Sequence, residues 1–164
     1  MADIQNRRAR GATLVEIMIA TVVVLVVVMG IMGYRYYSAL DAKKAEVRAA
    51  AGRISLLLLE GWKGTGGATD YDPESAFESE FLISLSAIGP SVPTDFSGTF
   101  FNLLNSYEII IDNVYYYTTL AYLDETATEP QMLNICTAWR HNYQQGSVSD
   151  TDKSVRLTTY TEYK

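Results

Sequence analysis

The residue types that could do chemistry in this chain are one histidine, one cysteine, a short alternation of carboxylates and one isolated glutamate. His141 stands between Arg140 and Asn142 at the end of a strand-like run. A catalytic imidazole needs a nucleophile within reach and a third group to orient it, and nothing in the spacing identifies either. Cys136 alternates with polar residues along the same run, where a free cysteine is more often a small buried hydrophobe than a nucleophile. Asp70, Asp72 and Glu74 alternate as the opening of a calcium loop would. No glycine or distal glutamate completes an EF-hand, so a solvated acidic turn is expected, with no metal and no cofactor. The expectation is a protein that is not an enzyme.

The isolated glutamate is Glu16. The 23 residues 12–34 carry no other charge, and residues 17–34 supply 18 uncharged positions in a row. With residues 12–15 added, the run reaches the roughly 20 residues needed to cross a bilayer core as a helix. A carboxylate one turn inside such a helix costs on the order of 2 to 3 kcal/mol. It needs a partner or a purpose, unless it is simply tolerated near the interface.

Arg10-Gly11-Ala12-Thr13-Leu14-Val15-Glu16, preceded by Arg7 and Arg8 and followed by the apolar run, resembles the prepilin processing site. That site is shared by type IV pilins, type II secretion pseudopilins and related competence and archaeal filament proteins. The likeness rests on a basic leader, a glycine before the cut, a glutamate fifth in the mature chain and the apolar run behind it, over about a third of the chain. Two features depart from it: Ala12 stands where the family usually has Phe or Met, and Gly30 and Gly33 stand in a helix where many members carry a proline.

The resemblance implies cleavage between Gly11 and Ala12 by a prepilin peptidase and N-methylation of Ala12. A glycine before the cut leaves room for the peptidase to approach the backbone. It further implies a single-pass inner-membrane protein, its head in the periplasm or outside, that polymerises with other pilin or pseudopilin subunits. Glu16 would then pair with the Ala12 amine of a neighbour, since charges in apolar surroundings are paired or neutralised. A small minor pseudopilin or tip component is the nearest likeness, and a major pilin the next. The alternative is a signal-anchored inner-membrane protein whose exported binding domain never polymerises. An ordinary cleaved signal would have a shorter apolar region ending in small residues, whereas this one ends Gly30-Ile31-Met32-Gly33-Tyr34-Arg35. The positive-inside rule is nearly silent, because Arg35, Lys43, Lys44 and Arg48 lie on the far side of the run, so orientation rests on the resemblance.

These residues must be held by a small set of elements. With 164 residues, 48% of them hydrophobic, the chain can fold one domain besides the apolar segment, and a lone cysteine excludes an internal disulfide. Gly30 and Gly33 each weaken a helix by about 1 kcal/mol. They form either a soft point that stretches on assembly or a place for close packing against a neighbouring helix. Beyond Tyr34 the helix has no reason to stop before Gly61, and Leu40, Val47, Ala51, Ile54 and Leu58 make one stripe of a 3.6-residue period. A helix over residues 12–60 would be roughly 73 Å long, wider than a small domain.

Residues 62–106 hold three of the four prolines and connect the helix to the C-terminal part of the chain, with a short helix expected over 74–85. From Tyr107 the period becomes two, through four runs that include Tyr107, Val114, Leu133 and Val155. The tyrosines at 115, 116 and 117 are read as core and cross-strand pairs and not as a binding face. The expected fold is α+β and pilin-like. It comprises a leader (1–11), a membrane and assembly half of the helix (12–34), an amphipathic half (35–61), a connecting region (62–106) and a four-stranded antiparallel head (107–164). Residues 61–164 carry five basic against 14 acidic side chains, a net of −9, so nucleic acid is not an expected partner.

Overall fold

The computed structural model describes residues 13–77, 82–94, 97–123, 131–140, 142–149 and 152–161. Helix α1 (Leu14–Gly64) is followed by a single helical turn, α2 (Pro73–Ala76), and by five strands. These are β1 (Leu82–Leu85), β2 (Asn102–Ile111), β3 (Val114–Leu123), β4 (Met132–Trp139) and β5 (Lys153–Tyr160). The chain divides into two units, one ending at Lys44 and the other beginning at Ala45.

In the second unit the helix buries Val47, Ala51, Ile54, Ser55, Leu58, Leu59 and Trp62, positions i, i+4, i+7, i+8, i+11, i+12 and i+15, which keep one face of a 3.6-residue period against the sheet. Leu40, expected in the same stripe, is 40% exposed, and the buried stripe starts at Val47 and continues to Trp62. The helix also runs past Gly61. Trp62 is fully buried one residue later, its indole N–H donating to Ala68 O at 2.9 Å, so ending the helix at Gly61 would withdraw the largest anchor from the core. Glycine at 61 leaves room for this packing: a Cβ there would stand 2.6 Å from the Tyr71 hydroxyl, whose ring stacks on Trp62.

The strands form one antiparallel sheet in the order β1-β2-β3-β4-β5. Asp112 and Asn113 both have positive φ, 50° and 62°, and join Ile111 to its partner Val114. Two left-handed residues make the tight hairpin turn whose twist matches that of the strands. Tyr107, Ile109, Tyr116, Leu120, Leu133, Ile135 and Trp139 meet the helix in one core. The opposite face of β3 and β4 is covered as well. Thr119 Oγ1 donates to Pro90 O at 2.8 Å, Phe101 packs on Ala121 and Leu123, and Gly146 N–H donates to the Tyr117 hydroxyl at 2.8 Å. Tyr116 and Tyr117 are therefore interior on opposite faces of β3, and Tyr115 is half-buried.

The sheet has five strands where four were expected. The additional one, β1, lies in the segment read as a helix over 74–85; among the described residues of that segment helix is confined to the turn Pro73–Ala76, and Leu82–Leu85 pairs with β2 through Ile83↔Ile109 and Leu85↔Tyr107. Four residues are too few to show a period, and the distant ladder decides their conformation. Strand β2 likewise begins at Asn102, inside the region read as a connection, with a register shift between Leu103 and Asn105 that breaks the alternation.

Candidate functional site

Among the described residues the first unit has no core of its own, and this is what makes it a candidate site. Thr13 precedes helix α1, and Glu16 N–H donates to both Thr13 O at 3.0 Å and Thr13 Oγ1 at 3.3 Å. This is the N-terminal capping arrangement, with a threonine at the cap and a carboxylate three residues on. A negative charge in the first turn is also favoured by the positive end of the helix dipole. Glu16 thus stands at the start of α1, in the first turn of the apolar segment.

Beyond it the apolar side chains are exposed without interruption, from Leu14 at 74% through Ile17, Val22 and Met29 to Met32 at 67%; Val28 at 39% is the least exposed of them. Thr21 Oγ1 donates to Ile17 O at 2.8 Å, which satisfies its hydroxyl within the helix and leaves its methyl outward. Helix α1 is long and apolar enough to cross a membrane. A continuous apolar surface of this kind marks an interaction with protein or lipid. Gly30 and Gly33 are helical, and nothing lies within 4 Å of where a Cβ would stand on either. This chain's own packing requires glycine at neither position. Gly11 and Ala12 lie outside the described residues.

The head offers no catalytic constellation among the described residues. Cys136 is 2% exposed in β4, and His141 lies outside the described residues. The carboxylates at 72 and 74 have structural partners. Asp72 caps α2 by accepting from Glu74 N–H at 3.1 Å and also accepts from the Tyr107 hydroxyl at 3.1 Å, while Glu74 accepts from Leu85 N–H at 3.3 Å. The signal for this was present in Asp72-Pro73-Glu74, a cap residue followed by proline at the first helical position. Among the described residues no group of three His, Cys, Asp or Glu could hold a metal ion.

Burial, reinforced by Asp72, pushes the Tyr71 hydroxyl up to about 12. Tyr107 is pushed up to about 12, again first by burial. Neither phenol is poised to exchange a proton near neutrality. An apolar groove of about 430 Å³ runs between the helix and the β1 edge, with Ile54, Leu57, Ile83 and Ile109 in its wall and Glu46, Arg53 and Asp112 beside them. It holds no nucleophile and base in reach of each other.

No protein-family model, curated protein or solved structure matches this chain.

Proposed function

We propose that the chain is a non-enzymatic subunit of a type IV pilus-like or type II secretion pseudopilus filament, a minor or tip component, made as a prepilin and cut between Gly11 and Ala12. The prepilin peptidase is its processing partner, the inner membrane holds it before assembly, and other pilin or pseudopilin subunits cover its apolar helix afterwards. The observation that carries this reading is the uncovered apolar surface of residues 14–32 with a single carboxylate, Glu16, in its first turn. A charged group at the start of an otherwise lipid-compatible helix is explained when a neighbouring subunit brings the opposite charge, here the amine that cleavage creates on Ala12. The antiparallel sheet on the C-terminal part of α1 supports the same reading, as it is the architecture that the resemblance implies.

One observation favours a second reading, a membrane-anchored head that never polymerises. Glu16 stands in the first turn of α1, where the positive end of the helix dipole favours a carboxylate within a single chain, without any neighbour. Mass spectrometry of the protein extracted from membranes separates the two. A chain that begins at Ala12, one methyl group heavier, is the expected result, and retention of Met1 or Ala2 would leave the anchor as the better account.

A further inference from the structure

The four residues after Gly33 are Tyr34, Arg35, Tyr36 and Tyr37, all within helix α1. Successive helical residues are about 100° apart, so four in a row point to all sides of the helix and not along one stripe. The three tyrosines are 76%, 64% and 68% exposed. Tyr36 and Tyr37 meet edge to face with ring centroids 5.8 Å apart, and none of the three hydroxyls has a hydrogen-bond partner among the described residues. Before them, residues 14–33 are 20 in number and hold one charge. At 1.5 Å per residue that is about 30 Å, the thickness of the hydrocarbon core of a bilayer.

A seam for a partner helix gathers its large side chains on one stripe. A ring on all sides suits a medium that surrounds the helix. Tyrosine has an apolar body and a polar tip, so it is favoured where hydrocarbon gives way to headgroups. Arginine between tyrosines extends the same fit, with its stem along the apolar surface and its guanidinium on lipid phosphate.

We infer that Tyr34, Arg35, Tyr36 and Tyr37 form a collar that binds the headgroup layer of the bilayer and fixes the depth of the helix. Residues 14–33 then fill the hydrocarbon core, and Glu16 sits about one turn inside the opposite boundary. This rests on the membrane insertion proposed above and adds to it a defined register. Every unassembled subunit presents Glu16 at one level, next to the headgroups of the far leaflet.

The test uses the full chain in vesicles of phosphatidylethanolamine and phosphatidylglycerol, with single cysteines introduced as Met29→Cys, Met32→Cys, Ser38→Cys and Ala42→Cys. A water-soluble maleimide is supplied on both sides of the bilayer. The native Cys136 is buried, so the wild-type chain gives a low background. Cysteines at 29 and 32 are expected to react on the order of tenfold more slowly than those at 38 and 42. Adding Tyr34→Ala, Tyr36→Ala and Tyr37→Ala should raise the rate at 32 several-fold by releasing the register. If the protein floats with the vesicles but position 32 reacts as fast as 38, or the triple substitution changes no rate, the collar is wrong and the insertion stands. If the protein does not float with the vesicles, the insertion and the collar fall together.

Discussion

Ser55 Oγ lies 2.7 Å from Thr137 Oγ1, a hydrogen bond that joins α1 to β4 in the interior of the head. Thr137 Oγ1 is in turn 2.9 Å from Thr118 Oγ1 on β3, and Ser55 Oγ is 2.9 Å from Ala51 O. All three hydroxyl residues are fully buried. Each hydroxyl satisfies another where no water can.

Thr137 is the centre of that chain, so its removal should be felt at both ends. Thr137→Val keeps the shape and leaves the buried Thr118 hydroxyl without its partner, while Ser55 retains Ala51 O, at about 1 to 3 kcal/mol for the group left unmade. Ser55→Ala removes an end of the chain and leaves Thr137 paired with Thr118, so it should cost less. Thermal melts of the head are expected to order as wild type, Ser55→Ala, Thr137→Val. Equal melting of wild type and Thr137→Val would mean that the hydroxyl chain contributes nothing.

A fragment that starts at Lys43 should be a folded, soluble monomer. The buried face of the helix begins at Val47, and its core partners all lie between Tyr71 and Leu157. The exposed apolar side chains of residues 14–32 are removed with the first unit. Circular dichroism and size exclusion without detergent test this, and a fragment that is unfolded or needs detergent would refute the division at Lys44.

Much of this architecture is legible in the residues, and the exceptions have physical causes. The stripe from Val47 to Leu58 declares itself because a helix repeats its buried face every three or four residues, and Asp112-Asn113 declares the hairpin because those types tolerate positive φ. Leu82 to Leu85 could not declare a strand, since its conformation is set by Tyr107 to Ile110, more than twenty positions away. Nor does alternation reveal that Thr119, Cys136 and Ala138 are buried, because loops and not a second sheet cover that face. At the candidate site, Thr13-Leu14-Val15-Glu16 spells a cap within the same stretch that resembles a processing site. A partner in another molecule leaves no mark within one chain.

Alkaline pH should unfold the head in a defined window. The hydroxyls of Tyr71, Tyr107 and Tyr116 are pushed up to about 12 from an ordinary 10, in each case first by burial, with Asp72 acting on the first two and Asp112 on the third. Between those values the native state keeps protons that the unfolded chain has lost. The stabilisation is therefore complete below about pH 10 and is lost as pH rises towards about 12. Urea midpoints should be level up to the lower limit and fall above it. Tyr107→Phe, which removes one of the three titrating groups along with its hydrogen bond to Asp72, should be less stable at neutral pH and show a shallower alkaline fall. Midpoints unchanged through the window would show that these phenols do not couple to folding.

Substitutions at Glu16 separate a filament subunit from an anchor, because glutamine and alanine both remove the charge. Glutamine keeps a side-chain carbonyl, whereas alanine loses that as well. If Glu16 acts only on its own helix, through the dipole, Glu16→Gln and Glu16→Ala each weaken one helix end by about 0.3 to 1 kcal/mol and leave assembly intact. If Glu16 pairs with the Ala12 amine of an adjacent subunit, either change leaves that amine uncompensated in apolar surroundings, a loss of about 3 to 5 kcal/mol at each contact. The lone subunit does not suffer, since a more apolar helix inserts more readily. Membrane insertion, cleavage after Gly11 and folding of the head are therefore expected to persist in both variants while incorporation into filaments fails in both. The measurement compares the processed membrane pool with the sheared filament fraction for wild type, Glu16→Gln and Glu16→Ala. Wild-type assembly by either variant would refute the pairing and leave the helix dipole as the carboxylate's remaining partner.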